Sequence, residues 1–280
     1  MPHNVIIVEV LMEFALQIGR LSSIDTVKNI DKYSRLYFGD DFCEQLLPDE
    51  KEFNDMLLLA TKYKKNLTMV TSPMGQRSLD SLVKLLDKYQ QSIYEFNFEI
   101  VFNDYGVFQV LSPYNSLKMV CGRVLARFKR DPRQYSIIDQ LDSSFTQTNV
   151  AGNYIQNLFL QNKIYRIDMD WSQHIDVGFH TGGINYSVIT PWTYLTTTRL
   201  CRLNEINLYD EDNRLRVGGV CSGICKNVEV KLKNQSMQKE LLVIGNTQFY
   251  HVDVPPPEGA NCFYNRIIEQ RIDSFGGQDN

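Results

Sequence analysis

Three short apolar, β-prone runs, Leu36 to Phe38, Leu67 to Val70 and Phe98 to Phe102, begin 31 residues apart in turn. Runs of this length between polar segments read as buried strands. Between the first two, Phe53, Met56, Leu57, Ala60 and Tyr63 recur at helical spacing behind Asp49-Glu50-Lys51-Glu52, a capping Asp followed three positions later by Glu. Leu79, Leu82, Val83, Leu86 and Tyr89 form the apolar face of a second helix. Leu117 to Cys121, Ile164 to Met169, Ile175 to Phe179 and Tyr186 to Thr190 extend the strand series, with a helical stretch around Asn153 to Leu160. Such alternation over roughly 200 residues predicts an α/β fold with a parallel sheet closed into a TIM-like (β/α) barrel. An open doubly wound sheet is the alternative, but no G-x-G-x-x-G follows the first run.

The flanks read differently. Val5 to Leu16 is apolar but interrupted by Glu9 and Glu13, which predicts an amphipathic helix and makes residues 1–30 a helical extension. That stretch is too short for a bilayer and has no basic flank or cleavage site, so a soluble, cytoplasmic protein with no membrane partner is expected. Residues 31–250 form the predicted barrel, with a polar, cysteine-rich insertion over 199–228 as an appended loop, and Leu241 to Ile244 returning to the barrel as a strand. Residues 251–280, opened by Pro255-Pro256-Pro257, read as a tail.

Composition narrows the function. With 280 residues, 43% hydrophobic and 22% charged, the chain is too apolar for intrinsic disorder. A net charge of −4 excludes a global basic field that would recruit nucleic acid.

Of six cysteines, three fall in the polar segment: Cys201, Cys221 and Cys225. Cys221-Ser222-Gly223-Ile224-Cys225 is a C-x3-C pair with a glycine that permits a tight loop. A soft metal site needs a fourth thiolate. Cys43 follows the first predicted strand at the end of a barrel where function gathers, although a buried small hydrophobe explains it equally well. Cys262 competes for the position, while Cys121 reads as strand filling. Four thiolates suit Zn2+ or an iron–sulfur cluster, and spacing does not separate them.

Tyr37-Phe38-Gly39-Asp40-Asp41-Phe42-Cys43, Phe98 to Gly106, Val120-Cys121-Gly122, Thr198-Arg199-Leu200-Cys201, Cys221-x3-Cys225 and Leu242 to Asn246 together resemble the collagenase-like U-type peptidase family. Within it they are most similar to the short, barrel-only UbiV-like iron–sulfur proteins, from about Leu36 to Tyr250. The resemblance implies a (β/α) barrel whose [4Fe–4S] cluster is held by Cys43, Cys201, Cys221 and Cys225. It further implies a part in oxygen-independent hydroxylation of an aromatic substrate or an RNA base, beside a longer paralogous partner. Two other readings are a metal-stabilised scaffold subunit and a peptidase true to the family label, though no H-E-x-x-H or nucleophile elbow supports the last.

Asn103 and Asp104 end a predicted strand, where side chains reach substrate or else initiate a turn. Asp168 and Asp170 occupy an analogous strand end. His180 is the histidine best placed for acid–base work. Arg123, Arg127, Lys129, Arg130 and Arg133 suit either a phosphate backbone or a solvated helix face, and Arg199 stands two residues before a proposed ligand.

Overall fold

The computed structural model describes residues 12–18 and 29–272, except 136, 176–182, 200, 202–220, 222, 227, 234, 238 and 260–261. Eight parallel strands close into a barrel: β1 (Glu13–Ile18), β2 (Arg35–Gly39), β3 (Asn66–Val70), β4 (Phe98–Phe102), β5 (Lys118–Cys121), β6 (Arg166–Asp170), β7 (Asn185–Thr190) and β12 (Arg266–Arg271). Closure is made by β1 against β12, in register from Glu13 opposite Arg266 to Ile18 opposite Arg271. Helices α1 (Glu50–Tyr63), α2 (Gln76–Glu95), α3 (Tyr105–Leu111) and α4 (Asn153–Gln161) follow β2, β3, β4 and β5.

The expected start of α1 is present. The Asp49 side chain accepts the Glu52 N–H at 2.8 Å, and Glu52 accepts the Asp49 N–H at 3.2 Å, a reciprocal cap contributing about 1 kcal/mol. The helix buries Phe53, Met56, Leu57 and Ala60. Phe53 meets Phe38 of β2 and Tyr89 of α2, with ring centroids 5.7 and 4.8 Å apart. Such burial stabilises by roughly 1.5–3 kcal/mol per large side chain.

Both flanks correct the sequence reading. Glu13 to Leu16, expected in a helix, lie in β1, whereas residues 5–11 lie outside the described residues. On β1, Phe14 and Leu16 join the core shared with the helices, while Ala15 packs inside the barrel, so the alternation has period two. The expected tail contributes β12, which the barrel needs to close. Leu241 to Ile244 does not return to the barrel. It forms β10 of a separate antiparallel sheet ordered β8 (Trp192–Thr197), β11 (Thr247–His251), β10 (Leu241–Ile244), β9 (Val230–Leu232). The Ile175 to Phe179 strand lies outside the described residues beyond Ile175, which is in no strand.

The barrel interior is layered. Ala15, Tyr37, Val70, Val101, Val120, Ile189 and Ile268, one from each of seven strands, form an apolar middle. Below it, at the strands' N-terminal ends, Arg266 donates to Glu99 (2.7 and 3.0 Å), Glu13 (2.7 Å) and the Tyr37 hydroxyl (2.6 Å). Arg35 donates to Glu13 at 2.9 Å and lies 3.3 Å from Glu99. Two arginines thus share two carboxylates, tying β1, β2, β4 and β12 together.

Candidate functional site

At the other end of the barrel the inward positions are polar. Gln17 donates to Asp41 Oδ2 at 3.0 Å, and Asn103 donates to Asp41 Oδ1 at 3.0 Å and to the Thr71 carbonyl at 2.8 Å. Asn103 Oδ1 accepts the Val124 N–H at 2.9 Å. Arg123, fully buried just past β5, donates to Gln270 at 2.9 Å, to Asp170 and to the Trp192 carbonyl at 3.0 Å. Arg130 donates to the second Asp170 oxygen at 2.9 Å. Burial pushes the Asp170 carboxyl up against the opposing pull of these two guanidinium groups.

The separate sheet lies over this polar layer. Phe42, Val124, Tyr194, Leu242 and Phe249 form a small apolar cluster, and the Arg123 guanidinium sits 5.3 Å from the Phe42 ring and 5.5 Å from that of Tyr194. The mouth is therefore filled by the chain's own side chains. Among the described residues, Gln17 Oε1, Arg123 Nε and Arg130 Nη2 are buried and find no hydrogen-bond partner, a demand that water or a small polar ligand would meet.

Several expected site residues make bonds within the fold. Asn103 is 1% exposed and both amide donors are engaged within the fold. Asp104 caps α3 by accepting the Val107 N–H at 2.8 Å and also accepts the Met74 N–H at 2.7 Å. Both side chains thus hold loops in place by satisfying backbone groups at strand ends. Of the basic run, Arg123 and Arg130 point into the protein, Arg127 donates to the Val124 carbonyl at 2.8 Å and Arg133 pairs with Asp131. A phosphate-binding face built on all five is not formed. His180 lies outside the described residues.

Cys43 sits on the rim beside this mouth, just past the end of β2. Gly39, with φ +95°, ends β2; a Cβ there would come 2.2 Å from the Val70 carbonyl oxygen, so only glycine fits. The turn it opens is fastened by Asp40, whose Oδ1 accepts the N–H groups of Phe42 at 2.8 Å and Cys43 at 2.7 Å. Burial raises the Asp40 carboxyl to about 6 in spite of these bonds. Burial, then the Asp40 charge, push the Cys43 thiol up to about 12, with Cys225 and Cys221 adding in the same direction and a backbone bond from Gln45 opposing them.

Arg199, in the segment leading to Cys201, meets the same turn, and Cys225 packs on the β10–β11 hairpin. Arg199, two residues before Cys201, donates to Glu44 at 3.2 Å, and Glu44 also accepts the Gly75 N–H at 2.6 Å. Gly245 is at φ +58°, and a Cβ on it would lie 3.4 Å from Cys225 Cβ and 3.7 Å from its Sγ. No disulfide joins any of the six cysteines. Cys121 is fully buried on β5, as its strand setting predicts, and Cys262 donates to the Pro257 carbonyl at 3.2 Å.

The chain is similar to two solved barrels. One is a U32 peptidase, 12% identical over 93% of each chain with a TM-score of 0.46. The other is a glycoside hydrolase family 18 N-acetylglucosaminidase from Paenibacillus barengoltzii, 8% identical, covering 86% of this chain and 88% of that one, with a TM-score of 0.31. No protein-family profile and no curated protein matches the sequence.

Cys43, Cys221 and Cys225 are uncrosslinked and partly or fully buried, and Cys221 and Cys225 lie within electrostatic reach of Cys43. As they stand, no three His, Cys, Asp or Glu side chains among the described residues are grouped closely enough to hold an ion. Sequence reasoning overlooked Gln17, Asp41 and Gln270. Gln17 and Gln270 share the inner face of their strands with the apolar Ala15 and Ile268, and Asp41 lies beyond the end of β2.

Proposed function

We propose that the rim holds a four-thiolate iron–sulfur cluster on Cys43, Cys201, Cys221 and Cys225, and that the chain is the redox component of an oxygen-independent hydroxylation or related modification. The observation that supports the metal site is the set of bonds at one turn. Arg199 reaches Glu44 next to Cys43, and the Gly245 turn abuts Cys225. A thiol raised chiefly by burial and by a neighbouring carboxylate is a poor bare nucleophile, and a bound cation would stabilise its thiolate. When bound, such a cluster supplies one-electron transfer. The chain's own contribution is to hold the Cys43 loop through Asp40, exclude water with Phe42 and the separate sheet, and keep the Arg199 charge near the sulfurs.

The filled mouth favours a second reading beside this one. Since Arg123, Asp170 and Asn103 occupy the place where a barrel substrate sits, the hydroxylated substrate, an aromatic compound or RNA base, would bind a longer paralogous partner, with this chain as a metal-stabilised subunit.

Anaerobic reconstitution with iron and sulfide tests the assignment. The wild-type chain and Cys121→Ala are expected to develop visible charge-transfer absorption, and Cys43→Ala or Cys225→Ala to lose most of it. Equal absorption in all four proteins overturns the ligand set. Release of labelled peptide by the metal-free chain would instead support the hydrolase reading.

A further inference from the structure

One side chain ties together the backbone leading into Cys43 and that leading toward Cys201, from a turn that packs on Cys225. The Asn246 amide donates to the Phe42 carbonyl at 2.8 Å and to the Thr198 carbonyl at 2.7 Å, and the Asn246 carbonyl accepts the Thr198 N–H at 3.1 Å. Phe42 directly precedes Cys43, and Thr198 stands three residues before Cys201. Asn246 itself follows Gly245, whose α-carbon faces the Cys225 side chain. Three chain segments far apart in sequence are therefore joined through two side-chain donors and one peptide of a two-residue turn.

The turn is built for this task. It links β10 to β11, with Ile244 paired to Thr247, a hairpin short enough that the side chain following the positive-φ glycine is held rigidly. Both Asn246 donors go to main-chain oxygens, so they fix backbone positions and not rotamers. Hydrogen bonds from neutral amides each contribute about 1 kcal/mol, little against the stability of a closed barrel but enough to set the spacing of loops otherwise anchored at one end. The Arg199–Glu44 pair is a weaker tie, because Arg199 is 69% exposed and such pairs are screened.

We propose that Asn246 is the positioning residue of the rim: its amide sets the distance between the Cys43 and Cys225 thiols and thereby makes metal loading depend on the docked separate sheet. This inference rests on the proposed thiolate site for its purpose, but its geometric content holds for the metal-free chain and is tested there.

The test uses the full chain with Cys121, Cys201, Cys221 and Cys262 changed to Ser, leaving Cys43 and Cys225, treated metal-free with dibromobimane, which fluoresces when it bridges two nearby thiols. The parent is expected to cross-link rapidly. Asn246→Ala and the isosteric Asn246→Asp, which replaces both donors by an oxygen facing two carbonyls, are expected to slow cross-linking about tenfold, with the barrel's cooperative thermal transition retained. In the six-cysteine chain the same two changes are expected to lower bound iron several-fold. Cross-linking at the parent rate in both variants overturns the proposal whatever the iron content, as does a parent that fails to cross-link. Loss of the cooperative transition in both variants also overturns it, since Asn246 would then serve stability at large. A parent that cross-links, with variants that do not, supports the proposal even if no iron binds, in which case the thiolate-cluster reading alone fails.

Discussion

Asp168 and Asp170 are two positions apart on one strand, both fully buried, and behave differently. Asp170 is held by two guanidinium groups, so Asp170→Asn leaves two buried positive charges poorly compensated, and a loss of about 3 kcal/mol or more is expected in urea unfolding. Asp168 has no hydrogen-bond partner of ordinary geometry on either oxygen, although Ser187, Arg266 and Arg166 lie near enough to favour its charge. Burial, assisted by Glu99, outweighs them and raises its carboxyl to about 6, with Tyr37 and Cys121 also within its field. A carboxyl raised in the folded state favours folding below its unfolded pKa of about 3.9, and that contribution disappears as pH rises through about 6. Asp168→Asn is therefore expected to stabilise on the order of 1–3 kcal/mol at about pH 7.5 and by little near pH 4, read from urea midpoints at the two pH values. Glu99 is the opposite case. Burial opposes its charge, but Arg266 and Arg35 win and lower it to about 2, so its contribution is present above about pH 4.3 and is lost as pH falls toward 2. Glu99→Gln is expected to destabilise at neutral pH and to converge with the wild type in acid.

At the scale of elements, the strands that the sequence made legible are those with apolar residues on both faces. In β2, β3 and β4 the inward Tyr37, Val70 and Val101 are as apolar as their outward neighbours, and only the inward Thr68 and Glu99 interrupt the runs. The closing strands β1 and β12 carry Glu13, Gln17, Arg266 and Gln270 inward, because the barrel's two ends are filled by ion pairs and amides. Continuity is lost there, and an acid every fourth position imitates the polar face of a helix. The rim turn was legible in its residues but not in its cause. Gly39→Ala places a methyl group against the Val70 carbonyl at a backbone angle alanine avoids. It is expected to cost about 1–3 kcal/mol and to expose Cys43 to faster alkylation, measurable by mass spectrometry against Cys121 as an internal reference.

At the scale of the molecule, the separate sheet is inserted between the last two barrel strands, so the chain must complete β7, build the cover and return as β12. This order brings the cover back over the ends of β2 and β5, where Tyr194, Leu242 and Phe249 pack on Phe42 and Val124. Residue types and order alone left Cys43 equally well explained as a buried small hydrophobe, and only the family resemblance joined it to the Cys201 to Cys225 segment. The filling of the mouth was not legible in the sequence, since it depends on Arg123 and Arg130 turning inward, which a run of exposed-looking cations does not announce. Among the described residues no helix is long and apolar enough to cross a membrane.

The central claim, a thiolate cluster on this rim, meets its most direct test in metal and acid-labile sulfide analysis of the full chain purified without oxygen. The account predicts a brown protein with iron and sulfide in equal amounts and little zinc, and a Cys43→Ala chain without either. A colourless wild-type chain carrying zinc, or carrying no metal after anaerobic purification and reconstitution, would contradict it.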